Sequence, residues 1–306
     1  MSTPTRPSPP RRRPGTVRVV TQNVWGWYYF TEAGIGRAAP AEEWPAPWRA
    51  RQAVLAGGFG ELDPDVVAFQ EVIADPRYDQ VVELLGAGYH VAHAGRREAD
   101  GSGASIASRW PIGEVREVDL QVSTRTAEFP AVALVAEIRA PEPIGPLLLV
   151  NHNPNWELSF ERERELQAVV TARAVEGIGG VDDRHVVLAG DFNAVPEAAS
   201  MQFWAGLRSL DGVSVCYRDA WHEARPAEPG HTMTPANRVV AEGTWPQERG
   251  RRIDYLFVRC VHHGPTLDVL DCRQVFSEPV EDVWASDHFG VVADLGIPSR
   301  TPATRY

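Results

Sequence analysis

Apolar and polar positions alternate along this chain in short, bounded blocks. TVRVVTQN (16–23), DVVAFQEV (65–72), GASIASRW (103–110) and AVALVAEI (131–138) are rich in β-branched residues and end at turn formers. PLLLVNHN (146–153), HVVLAGDFN (185–193), RIDYLFVRC (252–260) and FGVVADLGI (289–297) share this character, so all eight read as strands. Several are almost continuously apolar, which predicts burial on both faces. Residues 47–58 and 76–86 read as helices, and 157–176 as a longer one with Leu166, Val169, Val170 and Ala174 on one stripe. Many strands and few helices, without strict βαβ alternation, predict two packed sheets flanked by helices.

Polar residues recur where these apolar blocks stop. Asn23 closes the first strand, Glu71 the second, and His152 follows LLLVN. Asp191 and Asn193 follow VVLAG, Asp254 lies in RIDYLF, and Asp287 with His288 precedes FGVVADL. Taken singly, each has an ordinary structural explanation: GDFN suits a tight turn, SDH a cap, and His152 a satisfied core histidine. Their recurrence at strand ends is harder to dismiss. Carboxylates gathered there would be driven towards protonation unless a cation neutralised them, and an oxygen-rich set with few thiols favours Mg2+ or Mn2+ over zinc.

Composition narrows the picture further. The 306 residues carry a formal net charge of −11. Residues 1–15 hold four arginines and no acid, so the rest is more acidic still and should repel a polyanion. That Pro-, Ser- and Thr-rich opening is expected to be a disordered tail, followed by one domain over 16–298 and a short tail over 299–306. It does not read as a secretory signal, and no apolar run reaches membrane-spanning length. Three cysteines without CxxC spacing indicate neither a disulfide framework nor a zinc cluster, which fits a reducing cytoplasm.

QN at 22–23, QE at 70–71, GDFN at 190–193, RIDY at 252–255 and SDH at 286–288 resemble, in that order, the endonuclease/exonuclease/phosphatase superfamily with its DNase I-like fold. SIASRWPI at 105–112 looks like the family's central hairpin. The resemblance runs from about residue 17 to 297 and implies a four-layer αββα sandwich, an α+β fold of mostly antiparallel sheets. It implies Glu71 as main carboxylate ligand of Mg2+, with Asn23 beside it and Asp287 supporting the metal. Asp191 would orient or deprotonate the attacking water, Asn193 would hold phosphate oxygens, and His288, oriented by Asp254, would contact the phosphate. His152 matches the position that stabilises the transition state or protonates the leaving group.

A metal-dependent phosphodiesterase is therefore expected, acting as a monomer on a substrate smaller or more apolar than duplex DNA. A DNA or RNA nuclease is the second reading, and a catalytically silent binding relative the third. Glu157, Glu161, Glu163 and Glu165, interleaved with Arg162 and Arg164, contrast with the uncompensated basic track that a nuclease would use. Trp25, Trp27, Tyr28, Tyr29 and Phe30 crowd behind Asn23, with Trp44, Trp48 and Trp156 further on. Rings at a site mouth can stack on a base, clamp choline or face lipid. Trp25, Trp27, Tyr28 and Trp156 are candidate substrate contacts, joined by His231 and Asn237 from the loop GHTMTPAN at 230–237.

Overall fold

The computed structural model describes residues 15–26, 46–76, 78–181, 184–243, 245–262 and 264–298. The strands are β1 (Thr16–Asn23), β2 (Val66–Asp75), β3 (Tyr78–Asp79), β4 (His90–His93), β5 (Ser102–Ser108), β6 (Ile112–Asp119) and β7 (Val132–Arg139). They continue with β8 (Pro146–Asn153), β9 (His185–Asp191), β10 (Tyr217–Asp219), β11 (Asp254–Val261), β12 (Gly264–Pro265), β13 (Asp268–Val275) and β14 (Gly290–Gly296). The helices are α1 (Ala46–Leu62), α2 (Gln80–Leu85), α3 (Glu161–Glu176), α4 (Ala199–Trp204), α5 (Ala220–Ala224) and α6 (Arg238–Glu242). One sheet runs β13-β14-β1-β2-β5-β4 with β3 on β2, and the other β10-β11-β9-β8-β7-β6 with β12 on β11. Among the described residues, only the pairs β1–β2 and β8–β9 are parallel.

Alternation along the strands builds the four layers. Val17, Val19, Ala68, Ile106, Leu134, Leu147, Leu149, Val187 and Leu256 meet between the sheets. The intervening residues face outward: Val20, Val67 and Phe69 pack on Leu55 and Phe59 of α1 and Val81 of α2. Across the molecule, Leu148, Val150 and Val186 pack on Ala168, Val169, Ala172 and Val175 of α3. Fully burying each such side chain stabilises the fold by about 1.5–3 kcal/mol. The sandwich expected from the sequence is present.

Three local expectations need correction. SIASRWPI is not a hairpin, because Ser108 pairs with Val66 in the first sheet whereas Ile112 pairs with Ile138 in the second. It carries the chain across the sandwich. The helix expected over 76–86 is shorter, starting only after Asp79, whose Oδ1 accepts from Val81 N at 2.9 Å. On α3, Leu166, Val170 and Ala174 are only partly buried, and of that stripe only Val169 is fully inward. The buried face also carries Glu163, Arg164 and Gln167. Gln167 Nε2 donates to Leu120 O (2.8 Å) and Asn155 Oδ1 (2.7 Å), and Arg164 Nη1 to Glu157 O (2.8 Å). The helix thus turns polar groups inward to satisfy the loop before it.

A polar bolt crosses the apolar interior. Asn151, in β8, donates from Nδ2 to the carbonyls of Phe69 (2.7 Å) and Ser105 (3.0 Å) in the opposite sheet, and accepts from Gln70 Nε2 at 2.7 Å. These bonds set one sheet's height against the other, so that residues at neighbouring strand ends meet. Asn151→Leu leaves two buried carbonyls without this donor, at about 1–3 kcal/mol each. We expect urea unfolding to show a loss of roughly 2–6 kcal/mol; a loss below about 1 kcal/mol would mean that the bolt holds nothing.

Candidate active site

The first two strands bring Asn23 and Glu71 together by an irregularity. Between the pairs Phe69–Ser105 and Val72–Gly103, β2 has two residues where β5 has one, and Glu71 adopts φ +57°. Such a bulge re-aims a side chain, here in the middle of a strand rather than at the strand end expected from the sequence. Side chains take up the backbone groups around it: Arg97 Nη1 donates to Val72 O (2.7 Å), and Gln80 Oε1 accepts from Ile73 N (2.8 Å). Gly26 passes so close that a Cβ there would lie 1.9 Å from Glu71 O.

Asn23 Nδ2 donates to Glu71 Oε1 (2.9 Å) and to Asp191 Oδ2 (3.2 Å), while its Oδ1 accepts from Trp25 N (2.9 Å). One amide therefore joins a carboxylate from each sheet. Asp191 ends β9, directly opposite Asp254 of β11. Gly190 before it has a structural duty, because a Cβ would lie 2.0 Å from the His152 carbonyl oxygen. Asp191 Oδ1 accepts from Asn193 N (3.0 Å), and Asn193 Nδ2 donates to Pro154 O (3.1 Å).

The loop before β14 completes the cluster. Ser286 Oγ donates to Asn23 O (2.8 Å), and Phe289 N to Thr232 O (2.7 Å). Thr232 Oγ1 in turn accepts from Asp254 N (3.2 Å). His288 Nδ1 lies 2.9 Å from Asp254 Oδ2, leaving Nε2 turned towards Asp191 Oδ2 at 4.0 Å. Asp254 thereby sets the ring's orientation.

Burial and crowding shape the charges. Burial, and then Asp287, pushes the Glu71 carboxyl up to about 8. Burial and Asp254 push Asp191 up to about 6, and burial also raises Asp287. Burial alone would lower His288, but Asp254, Asp191 and Asp287 outweigh it and hold the ring well above its ordinary value, as imidazolium. Two carboxylate oxygens, Glu71 Oε2 and Asp254 Oδ1, are buried with no hydrogen-bond partner among the described residues. Buried carboxyl oxygens left without a partner are what a bound cation would relieve.

His152 does not join this cluster. Strand alternation turns it to the helix face, where Nδ1 meets Thr171 Oγ1 at 3.2 Å and the ring packs on Phe192 and Trp204 at 5.0 and 5.7 Å. Burial pushes it down to about 3, so it stays neutral. Its neighbour Asn153, paired with the inward-facing Val132, shares the face of Asn151 and turns towards the site. Extending the period-two pattern of LLLVNHN by one residue would have found Asn153.

The candidate substrate contacts divide. Trp25 is largely buried against Arg51, whose guanidinium lies 4.8 Å from the ring centroid, and its remaining edge lines a cavity with Arg238 and Trp284. Asn237 is fully buried and structural, capping α6 through Val239 N (3.0 Å) and donating to Ser286 O (2.7 Å). The ring of His231 lies against Gly250, and its carbonyl accepts from Gln274 Nε2 (2.6 Å). Trp156 is 47 % exposed. Trp27 and Tyr28, with Tyr29, Phe30 and Trp44, lie outside the described residues, as do 1–14 and 299–306.

Comparison with known proteins agrees with this fold. The model of the endonuclease/exonuclease/phosphatase family matches residues 20–288. No curated protein matches the sequence significantly. TDP2 of D. rerio, complexed with a single-strand DNA product, is 20% identical with a TM-score of 0.68, covering 92% of this chain and 99% of its own. An endonuclease/exonuclease/phosphatase from Bacteroides vulgatus is 19% identical with a TM-score of 0.67, over 92% and 99%. The human nocturnin catalytic domain with bound sulfate is 17% identical with a TM-score of 0.65, over 94% and 96%. Its strands, its polar strand ends and the span of the family match together show that this chain belongs to the endonuclease/exonuclease/phosphatase family, the metal-dependent phosphoric ester hydrolases.

Proposed function

We propose that the chain hydrolyses a phosphodiester by in-line attack of water, with Mg2+, or Mn2+ in its place, as the cation. The observation that carries this reading is the meeting of Asn23, Glu71, Asp191, Asp254 and His288 at one end of both sheets. Glu71 would hold the cation, with Asp287 and Asn23 acting directly or through water. A divalent ion there would neutralise charge developing on the phosphate. Asp191, Asp254 and His288 also offer ligand atoms within 4.8 Å of one another. We favour Glu71 for the cation, because an imidazolium has no lone pair to give.

The chain's own residues supply the remaining chemistry. Asp191, raised to about 6, is poised near neutrality to accept a proton from the attacking water. His288, held as imidazolium by Asp254, donates to a phosphoryl oxygen, and Asn193 and Asn153 hold the phosphate or the departing oxygen. Asn153 takes the role that the sequence suggested for His152.

The substrate is smaller than duplex DNA. A net charge of −11 supports this, although Glu163 and Arg164 are buried and carry no weight as surface charge. The DNA-product complex of D. rerio TDP2 favours a second reading, in which the diester belongs to single-stranded nucleic acid. Among the described residues no helix is long and apolar enough to cross a membrane.

Two experiments test the reaction. Plasmid DNA, RNA, sphingomyelin, inositol phosphates and bis(p-nitrophenyl) phosphate should be compared with Mg2+ and with EDTA. Small diesters should be cleaved only with the metal and faster than plasmid is nicked. EDTA-resistant turnover would remove the cation from the account, and rapid nicking would reverse the substrate order. Second, His288→Ala should lower kcat by about 10²- to 10⁴-fold with the fold intact by circular dichroism. Asn153→Ala should lower kcat while His152→Gln mainly lowers Tm; the opposite pattern would restore His152 to the site.

A further inference from the structure

Two tryptophans stand on the two loops that carry opposite halves of the site. Trp156 lies two residues beyond Pro154, whose carbonyl accepts from the Asn193 amide, and two extended residues span at most about 7 Å. Asn155 between them is buried and fixed, its N–H donating to Gln167 Oε1 (3.2 Å) and its carbonyl accepting from Arg164 Nη1 (3.1 Å). Trp245 comes from the other side, where it packs on Met233, Val240 and Ile253. Met233 forms a backbone bridge with His288, and Ile253 immediately precedes Asp254. The two rings meet edge to face, with centroids 5.6 Å apart and planes at 62°. Trp156 nevertheless remains 47 % exposed.

This arrangement limits what the pair can bind. Rings already in contact leave no gap to enclose a trimethylammonium head, as an aromatic cage does. What they present is an open indole surface on Trp156, in contact with a second ring and anchored two residues from Pro154, which holds the Asn193 amide. A flat π-face is the natural partner of such a surface, and stacking there needs no charge from this acidic chain.

Building on the phosphodiesterase reading, we propose that Trp156, backed by Trp245, stacks on the nucleobase next to the scissile phosphate, making the substrate a nucleotide-containing diester in single-stranded form. Trp156 supplies the stacking face, and Trp245 fixes its angle.

The test uses the full chain with Mg2+ and three substrates: thymidylyl-thymidine and its two analogues in which one or the other sugar carries no base. For the wild type, kcat/KM on the dinucleotide should exceed that on one of the analogues by about ten- to a hundredfold. Trp156→Leu should collapse that ratio to about one, Trp245→Leu should reduce it, and Trp156→Phe should keep most of it. A ratio that survives Trp156→Leu, or that is absent in the wild type, overturns the proposal. So does a Trp156→Leu variant whose only change is a lower Tm, since the pair would then be a latch between loops. If the wild type cleaves neither these three nor any other small diester, the phosphodiesterase reading fails separately. Titration with thymidine 5′-monophosphate then decides stacking alone: fluorescence quenching in the wild type that is lost in Trp156→Leu supports it, and equal quenching in both overturns it.

Discussion

The structure of the site depends on one amide. Asn23 Nδ2 reaches Glu71 in its own sheet and Asp191 in the other, so a single side chain sets the separation of two buried carboxylates. Four acids, Glu71, Asp191, Asp254 and Asp287, gather around the His288 ring, with Arg51 also acting on Asp287. Left to themselves they would repel, and burial has already pushed Glu71 up to about 8. The sign of the consequence is clear. Because Glu71 holds its proton in the fold above its ordinary value of 4.5, the cation-free protein loses stability as pH climbs from there to about 8. The surrounding fold, including the Asn151 bolt, the bulge in β2 and the tight approach of Gly190 to β8, works against that repulsion.

Much of this arrangement was legible in the sequence because strands announce themselves by β-branched runs, and their polar ends stand out against them. The residues that were misplaced share a cause: their direction depends on partners distant in sequence. Glu71 was read as a strand end, whereas a bulge against β5 turns it out of the middle of β2. His152 is singled out by its place after LLLVN and by the family resemblance, but the pleat turns it to the helix face and Asn153 inward. The stripe on α3 failed because its buried face serves loop carbonyls and amides through Gln167 and Arg164, a demand that hydrophobic periodicity does not register. SIASRWPI has a turn between two strands, and nothing local tells whether those strands share a sheet.

The aromatic residues show how composition and position differ as evidence. Trp25 directly follows the Asn23 region, yet it is spent on covering Arg51. Trp156, much further along the chain, stays open to solvent two residues beyond Pro154, whose carbonyl holds the Asn193 amide. On this proposal, substrate preference falls to the loops after β8 and before β11, while Asp191 and Asp254 sit on strand ends held by the sandwich. Rigid strand ends suit chemistry that tolerates little misplacement, and loops suit selection among substrates.

The central claim is that the crowded carboxylates, Glu71 foremost, are held together for a divalent cation. Calorimetric titration of the protein with Mg2+ at pH 7, in buffers of different ionisation heat, tests it most directly by counting protons released on binding. Burial and Asp287 hold the Glu71 carboxyl up at about 8, so binding at pH 7 should release protons, with the release fading above pH 8 and affinity rising over the same interval. In Glu71→Gln both the binding and the proton release should be lost. Binding without proton release at pH 7, or binding that survives Glu71→Gln, would contradict the account.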